Sequence, residues 1–238
     1  MSVFDTAERN ATPEARLRTV AVLLVLIVAL PVLGYWGYSA YKKRELRGMV
    51  AVLLKDTGGQ LREALSVEAG PPPADRALAA KRLDEQAAAA DSAIQRLKQL
   101  AVERDRALTD AADAHLAHIR EILRKQAASH RLYQMRAESL GALQDHMRAD
   151  NRTGRWVRDA VRAKERAEQD FREYRLAVAA YGTLLGSFPT SQKKIAPYVD
   201  PAALIDEALV VKAREKALAT ASEAAAEMDK ARQLLTRR

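Results

Sequence analysis

An all-α protein is the expectation for this chain: an N-terminal transmembrane helix followed by an antiparallel four-helix bundle of long helices. Three observations predict it. Alanine is the visible source of the 48% hydrophobic content, while aromatics make up only 5%. Alanine has the best helix propensity and adds little to a sheet core. The 238 residues contain 10 glycines and 8 prolines, so long stretches run without a breaker. Finally, twenty residues near the start carry no charge at all.

That run, Thr19 to Tyr38, reads TVAVLLVLIVALPVLGYWGY. At 1.5 Å per residue it is about 30 Å long, the thickness of a bilayer's hydrocarbon layer. The expected span is 19–41, after a short tail of residues 1–18. Arg16 and Arg18 close one end, and Lys42, Lys43 and Arg44 close the other. Tyr35, Trp36, Tyr38 and Tyr41 cluster at the second end, where amphipathic rings prefer the headgroup zone. A cleaved signal peptide is the rival reading, but the run is longer than its usual apolar region, and Tyr38 would sit three residues before the best cleavage point. The basic flank is richer after the span than before it, which puts the C-terminal part in the cytoplasm by the positive-inside rule. A bacterial-type inner membrane is the expected location.

Residues 42–73 read as a helical stalk and a proline-rich linker. Gly58–Gly59 interrupts the stalk, and Gly70-Pro71-Pro72-Pro73 ends it, since successive prolines supply no helix donors. The bundle domain is 74–238. From Ala74 to Ala149 there is no proline and one glycine, Gly141, so a helical hairpin is expected with its turn near Leu108-Thr109-Asp110 and Thr109 as a cap. Its apolar stripes are Ala90, Ile94, Leu97, Ala101 and Leu108, then Leu116, Ile119, Leu123, Tyr133, Leu140, Leu143 and Met147. Asp150 to Gly154 is a second turn. A third helix follows to about Gly186, ended by Phe188-Pro189. Asp200-Pro201 then pairs an N-cap carboxylate with a proline at the first helical position, opening a last helix to about Thr236. Its inward residues read as Leu204, Ala208, Val211, Leu218, Ala225, Met228 and Leu235.

Chemistry is scarce. There is no cysteine, so no disulfide framework or thiolate site exists. His115 and His118 lie three apart with Glu121 a turn further, but a di-iron bundle needs Glu-x-x-His on two helices, and position 112 is Ala112. Solvent-exposed histidines, no metal and no cofactor are the expectation. No phosphate loop or nucleophile elbow is present. An enzyme has no residue to rest on.

The formal charge is +8 with 29% charged residues of both signs, the balance of a solvated surface. One feature is less ordinary. Arg155, Arg158, Arg162 and Arg166 repeat at three and four along a helix, forming a ridge that suits anionic lipid or an acidic partner protein. Nucleic acid is disfavoured, because no aromatic platform or reading module accompanies the ridge; Trp156 beside it reads as a packing residue.

Tyr174, Val178, Tyr181, Leu185, Phe188 and Pro189 recur at the spacing of the Tyr-Asn…Val…Tyr-Asn…Ile…Phe-Pro segment of the LemA family. The chain resembles that family over residues 163–190 and in its layout of short tail, one membrane helix and helical domain. The resemblance implies a four-helix bundle and an outside N-terminus. Arg175 and Gly182 stand where that family has asparagines, and its Leu-Ile-Pro-Asn-Leu-Val and Gly-Leu-Phe-Gly-Phe segments are missing.

The expected function is a single-pass, membrane-anchored scaffold or adaptor, non-enzymatic, binding a protein partner or a second copy of itself through helix packing. The alternative is an extracytoplasmic sensory or ligand-binding bundle tethered to the inner membrane.

Overall fold

The structure, a computed structural model, describes residues 13–100, 105–148 and 154–236; side chains 13–28, Pro31, Leu33 and 234–236 lie outside the description. Its α-helices are α1 (Pro13–Glu68), α2 (Arg76–Gln99), α3 (Arg106–Arg148), α4 (Gly154–Ile195) and α5 (Glu207–Thr236), with 3₁₀ turns at Ala196–Tyr198 and Pro201–Ala203. No strand occurs among the described residues. The protein is all-α.

The chain divides after Leu46 into two compact units. In the first, the backbone from Pro13 onward is helical. Among the described residues no helix is long and apolar enough to cross a membrane. Most of the charge-free run, up to Val28, has its side chains outside those residues.

In the second unit, cross-helix pairs fix the directions. Asp84 and Asp91 of α2 meet Arg131 and Arg120 of α3, so these helices are antiparallel. His146 meets Trp156, and His115 meets Ser191, which makes α3 and α4 antiparallel. Glu168 bonds Arg232, while a Cβ on Gly182 would lie 3.8 Å from Leu218; α4 and α5 are antiparallel as well. The C-terminal part of α1 runs parallel to α3, since Arg47 pairs with Asp105 and Gln126 with Ala64.

The segment read as a stalk is part of the core. Leu61, Ala64 and Leu65 are buried in the same cluster as Leu83, Leu123, Phe171 and Phe188. Gly58–Gly59 does not interrupt the helix. A Cβ at Gly58 would stand 3.4 Å from the Ala203 carbonyl oxygen, an ordinary contact, so this face of α1 lies against the 3₁₀ turn. Arg62 then ties down that turn, donating to the Ala202 and Leu204 carbonyls at 3.2 and 2.9 Å.

Helix boundaries follow local chemistry. Asp75 caps α2, its Oδ1 accepting from Leu78 N at 2.8 Å. The hairpin break falls earlier than expected: α2 ends at Gln99, and Asp105 takes the cap position of α3. Thr109 sits inside the helix instead, its hydroxyl bonding back to the Asp105 and Arg106 carbonyls. Residues 101–104 and 149–153, which include Ala101 and most of the second turn, lie outside the described residues. Pro189 fails to end α4, which continues to Ile195. A proline inside a helix costs about 3 kcal/mol; burial of Phe188 before it and Ile195 after it offsets that.

Asp200 does act as a cap, accepting from Ala202 N at 2.8 Å, but it opens only the 3₁₀ turn. Leu204 follows in extended conformation, and Ile205 is buried. The Gln192 side-chain amide brackets Ile205 like a strand neighbour: Nε2 donates to its carbonyl and Oε1 accepts from its N–H, both at 2.8 Å. The inward face of α5 also differs from the expected stripe. Val210, Ala213, Ala217, Ala224, Met228 and Ala231 are buried, whereas Val211 and Leu218 are exposed. Alanines let α5 lie close to α4, and that choice outweighs the larger side chains.

Candidate functional site: a polar cluster beneath an apolar pocket

On α3 the apolar stripe is interrupted. Between Leu123 and Leu140, inward positions hold Gln126, His130 and Arg136. Buried polar groups are costly unless bonded, so their partners matter.

Gln126 uses both amide hydrogens: Nε2 donates to the Ala64 carbonyl and to Glu68 Oε2, each at 3.2 Å. Its Oε1 is buried and has no partner among the described residues. His130 Nδ1 lies 3.2 Å from an Arg76 nitrogen. A guanidinium only donates, so Nδ1 accepts, and the ring proton sits on Nε2. That Nε2 is 3.3 Å from Glu68 Oε2 but not aligned to bond it.

Arg76 lies 3.6 Å above the Tyr133 ring, and Arg136 lies 4.7 Å from the same ring. Arg136 is 3% exposed and bonds Glu227 of α5 at 2.8 Å. Tyr133 meets Tyr174 edge to face, 5.5 Å between centroids. Burial pushes the Tyr174 phenol up to about 12, although Arg76 and Arg136 pull the other way. Tyr181 is fully buried, its phenol is raised well above the ordinary value by burial and then by Glu68, and its hydroxyl has no partner among the described residues.

Beside this cluster is a pocket of about 320 Å³ between the end of α1, the proline-rich linker, α2 and α3. Ala64, Val67, Pro73, Leu78, Ala79 and Leu83 supply apolar wall, Gln126 and His130 its polar lining, and Arg82 and Glu63 charges. Val67 and Leu78 remain 46% exposed. The volume is at the small end of the range for small-molecule sites.

The histidines are not the solvent-exposed groups expected. His115 is buried and bonds Ser191 Oγ at 3.0 Å; His118 Nε2 lies 2.9 Å from the Leu184 carbonyl, and both rings pack on Phe188. Burial, and secondarily the charge of His118, pushes the His115 imidazole down to about 4. His146 stacks on Trp156 and exchanges ring-to-carbonyl bonds with it at 2.9 Å. Long amphipathic helices bury small polar rings where a neighbour's carbonyl or hydroxyl is in reach, and the sequence alone does not display that neighbour.

Arg155, Arg158, Arg162 and Arg166 are all exposed on α4. Asp159 sits between Arg155 and Arg162 at 3.9 and 4.0 Å, too loosely to neutralise the ridge. Arg162 and Arg166 also line a shallow cavity of about 420 Å³ with Met135, Glu138 and Ala142 of α3. In the first unit Tyr35, Trp36, Tyr38 and Tyr41 are 58–72% exposed. Lys42 pairs with Glu45 at 2.7 Å, and Lys43 and Arg44 are exposed.

Fold and site together define an all-α bundle whose interior holds a bonded polar cluster next to an apolar pocket. No family model, curated protein or solved structure matches the chain. The six positions that carry the LemA-like spacing are core positions for five of their number, Tyr174, Val178, Tyr181, Leu185 and Phe188, and core packing on α4 demands that spacing.

The missed signal was the interruption itself. Polar residues at inward register, 126, 130 and 136, stand where the stripe demands apolar ones.

Proposed function

We propose that the protein is a single-pass membrane-anchored helical adaptor, non-enzymatic, whose bundle binds an acidic protein partner. Residues 19–41 form the anchor. The observation that carries it is the outward display of Leu30, Val32, Tyr35, Trp36, Tyr38 and Tyr41, each at least 51% exposed on successive turns. Large apolar side chains grouped in this way mark a surface that belongs in lipid or against protein, and Lys43 and Arg44 beyond them suit a headgroup layer.

The Arg155–Arg166 ridge is the proposed binding surface. It adjoins the C-terminal end of α3, whereas Arg47, where the chain enters the second unit, meets Asp105 at the N-terminal end. The four guanidiniums are exposed with Asp159 only loosely between them, which supports a partner of opposite charge. A photo-crosslinking residue in place of Val161, which is exposed beside Arg162, tests the reading in intact cells. One discrete partner band is expected, lost in an R158E/R162E chain. Equal capture by both chains counts against the ridge.

The apolar pocket supports a second reading, the tethered ligand-binding bundle. The cytoplasmic side is proposed from the basic flank; a reporter at the C-terminus that is active only outside the inner membrane would favour the second reading.

A further inference from the structure

Past Tyr133 the hairpin of α3 and α4 outruns both α1 and α2. Glu68, the last residue of α1, stands 3.3 Å from His130, and Arg76, the first of α2, lies over the Tyr133 ring. Because α2 runs back antiparallel from there, α3 continues beyond both helices to Arg148, about four turns or roughly 22 Å. α5 covers one side of the projecting pair, where Glu227 reaches Arg136 and Arg232 reaches Glu168. A second side holds the groove of about 420 Å³, whose lining among the described residues comes from α3 and α4 alone.

The groove has a floor and two unlike lips. Met135, Ala142 and Ala163 give an apolar floor, with Met135 43% exposed. Ser139 on the same floor already donates its hydroxyl to the Arg136 carbonyl at 3.1 Å. The α4 lip carries Arg162 and Arg166, one helical turn apart, and the nearest carboxylate to Arg162 is Asp159 at 4.0 Å. The α3 lip carries Glu138. A flat anionic surface or a nucleic acid would bring negative charge to Glu138 as well as to the arginines. A second copy docked through the same face would set arginine against arginine. A rod with an apolar side and carboxylates along one edge satisfies floor and lips together.

We propose that the α3–α4 groove at Met135, Ala142 and Ala163 receives an acidic amphipathic helix, its apolar side on that floor and two carboxylates one turn apart on Arg162 and Arg166. The inference rests on the adaptor reading and gives its acidic partner a shape, that of a helix laid in a groove.

The probe is a designed, fluorescein-labelled helix of about four turns, with leucines along one side, glutamates at i and i+4 beside them, and a hydrocarbon staple on the far side. It is titrated against the full chain in phosphatidylcholine nanodiscs. Saturable binding is expected, at least tenfold weaker when glutamine replaces the glutamates or serine the leucines. In the chain, Ala142→Trp fills the groove from an exposed position and keeps every arginine, whereas R162Q/R166Q keeps the floor. Each should weaken binding at least tenfold with helical content by circular dichroism unchanged.

Failure of the helix to bind, or full affinity in Ala142→Trp, would overturn the groove. So would binding of phosphatidylserine vesicles through Arg162 and Arg166 in place of the helix, or crosslinks from a photoreactive residue at position 142 to a second copy of the chain. The adaptor reading fails separately. Should the partner band captured at Val161 survive Ala142→Trp yet vanish in R158E/R162E, the ridge would stand and the groove would fall.

Discussion

The Arg136 guanidinium is buried at 3% exposure, yet its partner Glu227, 2.8 Å away, has a side chain 54% exposed. The pair is lopsided. The cation is held inside by Tyr133 and Tyr174, whose rings lie 4.7 and 6.0 Å from it, while the carboxylate reaches in from the solvent edge of α5.

That asymmetry predicts unequal mutant costs. Removing one member of a buried pair is damaging chiefly when it strands a charge. Glu227→Ala leaves Arg136 buried without its anion and should cost about 3 kcal/mol. Arg136→Met leaves Glu227 free to hydrate and fills much of the same space, so it should cost less. Chemical unfolding of the two variants side by side gives the comparison; a costlier Arg136→Met would contradict the burial argument.

His115 makes stability depend on acid. Its imidazole is pushed from 6.5 down to about 4 by burial, so the folded protein resists the proton that the unfolded chain accepts. The contribution is complete above pH 6.5 and declines as pH falls from 6.5 to about 4. At about 1.4 kcal/mol per pH unit the loss is on the order of 3 kcal/mol. His115→Gln should flatten this part of the stability profile; an unchanged slope would assign the acid sensitivity elsewhere.

Tyr181 carries a hydroxyl with no partner among the described residues in a fully buried position. Tyr181→Phe keeps the ring and removes the unmet demand. The melting temperature should rise or hold, a gain of up to about 1–2 kcal/mol. A marked fall would mean that the hydroxyl has a partner.

Gln192 latches the segment between α4 and α5 by its two bonds to Ile205. Gln192→Ala should cost about 2 kcal/mol and speed hydrogen exchange at the Ile205 amide far more than in α3. Uniform exchange changes would point to global loosening instead.

How much of this was legible in the sequence divides along physical lines. Helical class followed from alanine content and sparse breakers, and the α2 and α3 stripes followed from large apolar residues at three and four. Ile94, Leu97, Leu116, Ile119, Leu123 and Leu143 are all buried. Where tertiary contact overrides local signal, reading failed. Pro189 and Gly58–Gly59 look like breakers, but burial of Phe188 and Ile195 around the first and of Leu54 and Leu61 around the second carries the helices through. On α5, side-chain size pointed to Val211 and Leu218, yet close packing of α4 favours Ala213 and Ala217. The pocket needs α1, which a stalk reading had set apart from the bundle.

Alkaline carbonate extraction of membranes from cells making the full chain is the most direct measurement of the proposed tether. The protein is expected to stay in the pellet, and a chain with Leu24→Arg and Leu26→Arg to be released to the supernatant with its helical content otherwise retained. Release of the unaltered chain, or pelleting of both alike, would contradict an anchor at residues 19–41.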